Sequence, residues 1–142
     1  MQRVLLTIKG TQMESGSSEL IEFVTEGRFC RLSDGCMLEY EESALTGIEG
    51  CTTKLTLKDG TLTLQRSGTL ETHMIFSPGS VYQSHYTTPH GNLNVSVYAV
   101  RVESELGELN GSLSLEYELN LGELFTINKL DLSFKHMKDC IS

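Results

Sequence analysis

Arg66 is the residue whose position most demands a chemical explanation. It follows Leu62 and Leu64 at intervals of two, and side chains two apart on an unbroken strand share a face. Its guanidinium therefore points where those leucines point, toward the interior. A charge there is costly unless it meets an acid or an anionic ligand. The same phase carries Leu38 and Tyr40 on to Glu42, which makes Glu42 the first-choice partner and Glu41 the alternative. Glu26 is a third choice, reached if the adjacent Gly27 kinks its strand. Three arrangements remain open: an internal salt bridge clamping one end of the fold, a carboxylate-binding arginine in a ligand pocket, or a strand end where Arg66 reaches solvent. Thr25, Tyr40 and Tyr86 complete the candidate ligand-binding set, because aromatic rings with polar tips line many pockets. Tyr82 shares the face of Tyr86 at i, i+4, with Tyr98 and Tyr40 as candidate neighbours. Structural roles serve equally well: threonine suits a pleated surface, and Gly27 and Gly47 allow close approach of backbones.

Other chemistries lack their signatures. His73, His85, His90 and His136 are scattered, with no H-x-H or H-E-x-x-H spacing, so no metal site is expected. There is no G-x-S-x-G elbow and no glycine-rich phosphate loop; no catalytic residue, reaction or cofactor is implied. The four cysteines, Cys30, Cys36, Cys51 and Cys140, include no C-x-x-C pair. Reduced thiols without metal are expected, and only Cys30, beside Arg31, has a basic neighbour in sequence.

These residues need a scaffold, and composition selects it. Alanine occurs only at Ala44 and Ala99, whereas threonine occurs 14 times and glycine 13 times, which is poor material for helices and good material for strands and turns. Period-two alternation recurs along the chain. Leu113, Leu115, Tyr117, Leu119 and Leu121 alternate with Ser112, Ser114, Glu116, Glu118 and Asn120; Thr53, Leu55 and Leu57 run to an Asp59-Gly60 turn, after which Leu62 and Leu64 resume. Leu70, Thr72, Met74 and Phe76 end at Ser77-Pro78-Gly79. Hairpins are predicted at Asp34-Gly35, Asp59-Gly60 and Asn110-Gly111, and Glu14 to Glu19 reads as a solvated loop. The apolar phase is odd at Leu93, Val95 and Val97 but even at Val100 and Val102, the mark of a bulge. Only Glu42 to Ile48 has helical character, one short turn near Ala44 to Gly47. The expectation is an all-β protein, a single antiparallel up-and-down β-barrel of about 8 to 10 strands over residues 1–142, because closure removes exposed edges.

Several strings also resemble a known family: Gly10-Thr11-Gln12, Val24-Thr25-Glu26-Gly27, Tyr40-Glu41-Glu42-Ser43 with Thr46-Gly47, Thr52-Thr53, Arg66-x-Gly68, Met74-x-Phe76 and Tyr86-x-Thr88-Pro89-x-Gly91. In order and spread, from about residue 2 to residue 134, they resemble the YwiB-like family of uncharacterised bacterial proteins, similar in fold to the calycins (lipocalins and fatty-acid-binding proteins). The resemblance implies a calycin-like barrel in a soluble bacterial protein.

Charge and hydropathy bound the partners. Nineteen acids against 11 bases give a net charge of -8, which disfavours nucleic acid, since phosphate binding draws its affinity from cations. No apolar run approaches the roughly 20 residues of a membrane helix, and Val4 to Ile8 is short for a signal segment. No membrane association and a cytoplasmic location are expected. The favoured function is binding of a small, partly apolar molecule, with or without an anionic group, inside the barrel. The alternative is an interaction or structural protein with a filled barrel, acting through its surface or as a homodimer, toward which the 21 leucines lean. An enzyme built on Glu26, Glu42 and Arg66 ranks last.

Overall fold

The computed structural model describes residues 1–42, 49–68, 71–88, 91–122 and 124–137, except the side chains of 84–88. Alternating sequence becomes ten strands: β1 (Gln2–Glu14), β2 (Ser17–Leu32), β3 (Gly35–Glu41), β4 (Thr52–Lys58), β5 (Thr61–Ser67), β6 (Thr72–Phe76), β7 (Val81–Thr88), β8 (Gly91–Leu106), β9 (Asn110–Leu121) and β10 (Leu124–His136). No helix occurs among the described residues, and the turn expected at Ala44 to Gly47 lies outside them.

All ten strands belong to one antiparallel sheet, ordered β6-β5-β4-β3-β2-β1-β10-β9-β8-β7. Its two extreme strands, β6 and β7, are consecutive in sequence, and β1 pairs with β10 from Val4↔His136 to Met13↔Ile127. The sheet thus curls into a nearly closed barrel whose ladder is completed by the chain's first and last strands. The seam falls in mid-chain for a local reason. After β6, Gly79 N donates to Ala99 O and Ala99 N donates to Ser80 O, so the turn spends its backbone groups on β8 rather than on a β6–β7 hairpin.

Turn chemistry explains the hairpins and corrects three expectations, the first at Asp34-Gly35: Leu32 already pairs with Gly35, so the turn residues are Ser33 and Asp34. Asp59 and Gly60 have φ of 52° and 78°, the left-handed pair that suits a two-residue hairpin. Ser15 and Gly16 do the same at 46° and 83°, so the supposed loop from Glu14 to Glu19 is a tight turn between two strands that pair up to Glu14↔Ser17. The β8–β9 turn lies at 107–109 rather than at Asn110-Gly111, with Gly107 N donating to Asn110 O. Gly111 serves a different need: a Cβ there would stand 2.6 Å from Phe134 Cζ.

The predicted phase switch in β8 is present. Val95, Val97 and Ala99 are buried, Val100 is exposed, and the register against β9 shifts between Ala99 and Arg101. One extra residue re-aims the strand so that Val102 packs back on the core.

Ends of the barrel differ in filling. In an up-and-down meander, the C-termini of odd strands and the N-termini of even strands meet at one end. At the opposite end the inward residues are Val4, Phe29, Leu38, Leu57, Leu62, Phe76, Leu113 and Phe134, all buried. Phe29 and Phe134 stack there with ring centroids 4.8 Å apart. Arg31 lies over the Phe29 ring at 5.9 Å and donates from Nη2 to Gly107 O at 2.6 Å. Burying these side chains stabilises the fold by about 1.5–3 kcal/mol each, and this end is closed.

Candidate functional site

At the other end several strands change their inward residue from apolar to polar, while β2 and the ends of β8 and β9 stay apolar. β1 ends in Gln12, β3 in Tyr40 followed by Glu42, and β5 in Arg66; β4 begins with Thr53, β6 with Thr72, and β10 with Thr126 and Asn128, while β9 brings Tyr117. Cross-strand register draws the central members together: Tyr40 pairs with Thr53, Thr53 with Arg66, and Arg66 with Thr72. Opposed residues in an antiparallel pair point the same way, so this row faces the lumen.

Three of these side chains form one polar knot. Thr53 Oγ1 donates to Glu42 Oε2 at 3.0 Å and accepts from Arg66 Nε at 3.3 Å. Arg66 Nε is 3.6 Å from Glu42 Oε2, an ion pair rather than a hydrogen bond. The two charges are unequally buried: 2% of the Glu42 side chain is exposed against 22% for Arg66. Among the described residues neither Nη group of Arg66 donates a hydrogen bond. Burial pushes the Glu42 carboxyl above its ordinary range, against the pull of Arg66 and Thr53. Burial likewise raises Tyr40, helped by the Glu42 charge, and raises Tyr117, so both phenols stay neutral at physiological pH.

The knot borders a cavity of about 300 Å³. Ile8, Ile21, Phe23, Leu64, Leu119 and Leu130 supply apolar wall; Tyr40, Glu42, Arg66, Tyr117 and Asn128 supply polar groups; Gln12, Glu19 and Lys129 stand at the rim. Phe76 backs the Tyr117 ring at 4.8 Å, and Asn128 Nδ2 donates to Thr126 Oγ1 at 2.9 Å, so this wall is held in place. A larger groove of about 740 Å³ runs outside the barrel over Leu5, Thr7, Ser112 and Ser133, but its ionisable members, Glu105 and Lys135, are exposed.

Of the residues singled out from sequence, Arg66, Glu42 and Tyr40 meet at the mouth. Glu26 does not. β2 runs unkinked through Gly27, so Glu26 keeps the outward phase of Glu22 and Arg28 and pairs with Arg3 on the exterior. That pairing holds its carboxyl below the usual range. Gly27 is required instead by packing: a Cβ there would lie 2.4 Å from Leu6 Cδ1 and 2.8 Å from Glu39 O. Glu41 also faces outward, accepting from Thr52 Oγ1 at 2.9 Å. Thr25 lies half-buried on the inward phase of β2 without lining the cavity. The side chain of Tyr86 lies outside those described; Tyr82 reaches across the seam, its hydroxyl 3.0 Å from His73 Nδ1. No group of three or more His, Cys, Asp or Glu suited to a metal occurs among the described residues.

A family model described as a domain of unknown function, DUF1934, matches residues 6–133. The chain belongs to the DUF1934 family. Within reach of this DUF1934 chain is the uncharacterised β-barrel protein YwiB of Bacillus subtilis (strain 168), 26% identical over 121 residues that span 84% of this chain and 83% of the relative. The crystal structure of the ywiB protein from Bacillus subtilis aligns with a TM-score of 0.85 and 21% identity, covering 96% of this chain and 93% of that one. The expected family and the expected barrel are both present.

Proposed function

We propose that this DUF1934 barrel binds a small, partly apolar molecule with an anionic group, seated in its polar mouth as in a calycin-like carrier. The observation that supports this most strongly is Arg66: a largely buried guanidinium whose Nη groups have no hydrogen-bond partner among the described residues, beside a cavity with apolar walls. The cavity equals the liquid volume of about ten waters, so a ligand of roughly ten non-hydrogen atoms fits and a long lipid chain does not. Arg66 and the anion would supply orientation, and the isoleucine and leucine wall would supply most of the affinity.

An apolar lumen with charged pairs such as Arg3–Glu26 and Arg28–Glu39 outside is the inverse of a membrane barrel, whose outer band is apolar. Free thiols at Cys30 and Cys36 support a reducing, cytoplasmic setting. The net charge of -8 supports a ligand other than nucleic acid.

Octanoate and octanol, titrated calorimetrically, test the proposal. Octanoate should bind, octanol at least tenfold more weakly, and Arg66→Leu should erase the preference. The filled closed end favours a second function, a structural or interaction protein acting through its surface or as a homodimer; octanoate failing to bind at millimolar concentration would leave only that.

A further inference from the structure

We infer that the ligand of this mouth is a monocarboxylate and that each molecule bound draws one proton from solvent onto Glu42. The inference rests on the binding proposed above and adds to it the ligand's charge and the fate of the acid already present.

Charge balance in the cavity carries it. Among the described residues, one cation, Arg66, and one acid, Glu42, stand deep in the mouth, facing each other across 3.6 Å. Of the other described groups that face them, Tyr40 from β3 and Tyr117 from β9 are neutral phenols, Thr53 from β4 and Thr72 from β6 carry no charge, Glu19 from β2 stands exposed at the rim, and Lys129, outward on β10, is paired with Glu116. The empty pair is therefore close to neutral. A carboxylate arriving on the Nη groups of Arg66 places two acids around one cation in a cavity that excludes much of the water. Two carboxylates sharing such a site cannot both stay ionised, and one of them takes a proton.

Glu42 is the acid that takes it. Its side chain is almost wholly buried, whereas an incoming ligand enters from the open rim, and burial already favours the neutral form of Glu42. Thr53 lets the change occur without rearrangement. Its hydroxyl now donates to Glu42 Oε2 and accepts from Arg66 Nε. With two lone pairs and a rotatable hydrogen, it can accept from a protonated Glu42 while still accepting from Arg66. A dianion such as phosphate would need a second deep cation, and among the described residues the only other cation lining this cavity is Lys129, at the rim and paired with Glu116.

The experiment is octanoate binding to the intact protein between about pH 5 and pH 8, by calorimetry in two buffers of different ionisation enthalpy. Above the Glu42 pKa of the ligand-free protein, wild-type affinity should fall by up to tenfold per pH unit, with a buffer-dependent heat showing uptake of up to one proton. Glu42→Gln, which mimics the protonated acid, should bind octanoate with affinity flat in pH and no proton uptake. Glu26→Gln, on the exterior, should keep the wild-type slope. Octanoate binding to wild type with no proton uptake, or an unchanged slope in Glu42→Gln, would overturn the coupling and leave the binding site standing. Failure of octanoate to bind wild type at any pH would overturn the site and the coupling together. The wild-type slope and buffer dependence decide the matter even where Glu42→Gln fails to fold.

Discussion

An arginine stands at each end of this barrel, and the two are used differently. Arg31 lies across the closed end, over the Phe29 ring and bonded through Nη2 to the Gly107 carbonyl. It is exposed: on β2 it continues the inward phase of Phe29 but stands beyond it near the strand's end, so it caps the lumen that phenylalanines and leucines fill. Arg66 points inward at the open end, held by Nε against Thr53 and Glu42, while its Nη groups donate to nothing among the described residues. The contrast separates a side chain that closes a fold from one that leaves donors over for a ligand. Apolar inward residues alone make one half of the lumen a core; polar residues set among apolar ones make the other half a site.

The largest expected effect lies at the closed end. Phe29→Ala removes a ring that is 2% exposed and should cost about 4 kcal/mol, read by urea denaturation, with octanoate affinity little changed. A loss under about 1 kcal/mol would show that this end is loosely packed.

Next comes the open end. Arg66→Leu leaves the Glu42 carboxyl buried without its cation and should cost about 3 kcal/mol at neutral pH. Unlike Phe29→Ala, it should also weaken octanoate binding at least tenfold, to the level of octanol. Stability within about 0.5 kcal/mol of wild type would contradict the inward placement of Arg66.

A smaller effect sharpens the same comparison through pH. Because burial raises the folded-state pKa of Glu42 above its ordinary 4.5, the stabilisation from its bound proton is complete below the unfolded value and lost as pH rises through the folded one. Wild type should therefore lose stability relative to Glu42→Gln as pH increases from about 4.5, levelling off once the folded group has ionised. Parallel stability curves for the two proteins would sink this point.

Arg31→Ala is the mildest. An exposed side chain giving one hydrogen bond and one ring contact should contribute under about 1 kcal/mol, with no change in octanoate affinity. A loss as large as that for Arg66→Leu would erase the distinction between the two ends.

Much of this difference was legible in the sequence, strand by strand. Two-residue periodicity placed Arg66 with Leu62 and Leu64 and Glu42 with Leu38 and Tyr40, and the odd-to-even switch marked the bulge after Ala99. Thr53, Tyr117 and Asn128 also carried a signal, since each is a polar member of an otherwise apolar inward series. What joins them is the meander rule that odd strands end where even strands begin, and it becomes usable only once strand ends are known. Periodicity does not exclude an inward Glu26, because a glycine permits a kink, whereas Gly27 answers to the crowding of Leu6 and the Glu39 carbonyl. Periodicity is blind to such contacts between strands. The seam was equally hidden, because it depends on Gly79 and Ser80 finding Ala99, some twenty residues away in sequence.

The most direct measurement of the central claim is an amide and methyl chemical-shift titration of the labelled protein with octanoate. The polar mouth as binding site predicts saturable shifts concentrated at Ile8, Thr53, Leu64, Arg66, Tyr117 and Leu130, with Phe29, Leu62 and Phe134 at the closed end unmoved. Shifts confined to the outer groove around Leu5, Thr7 and Ser133, or no shifts at millimolar octanoate, would contradict it.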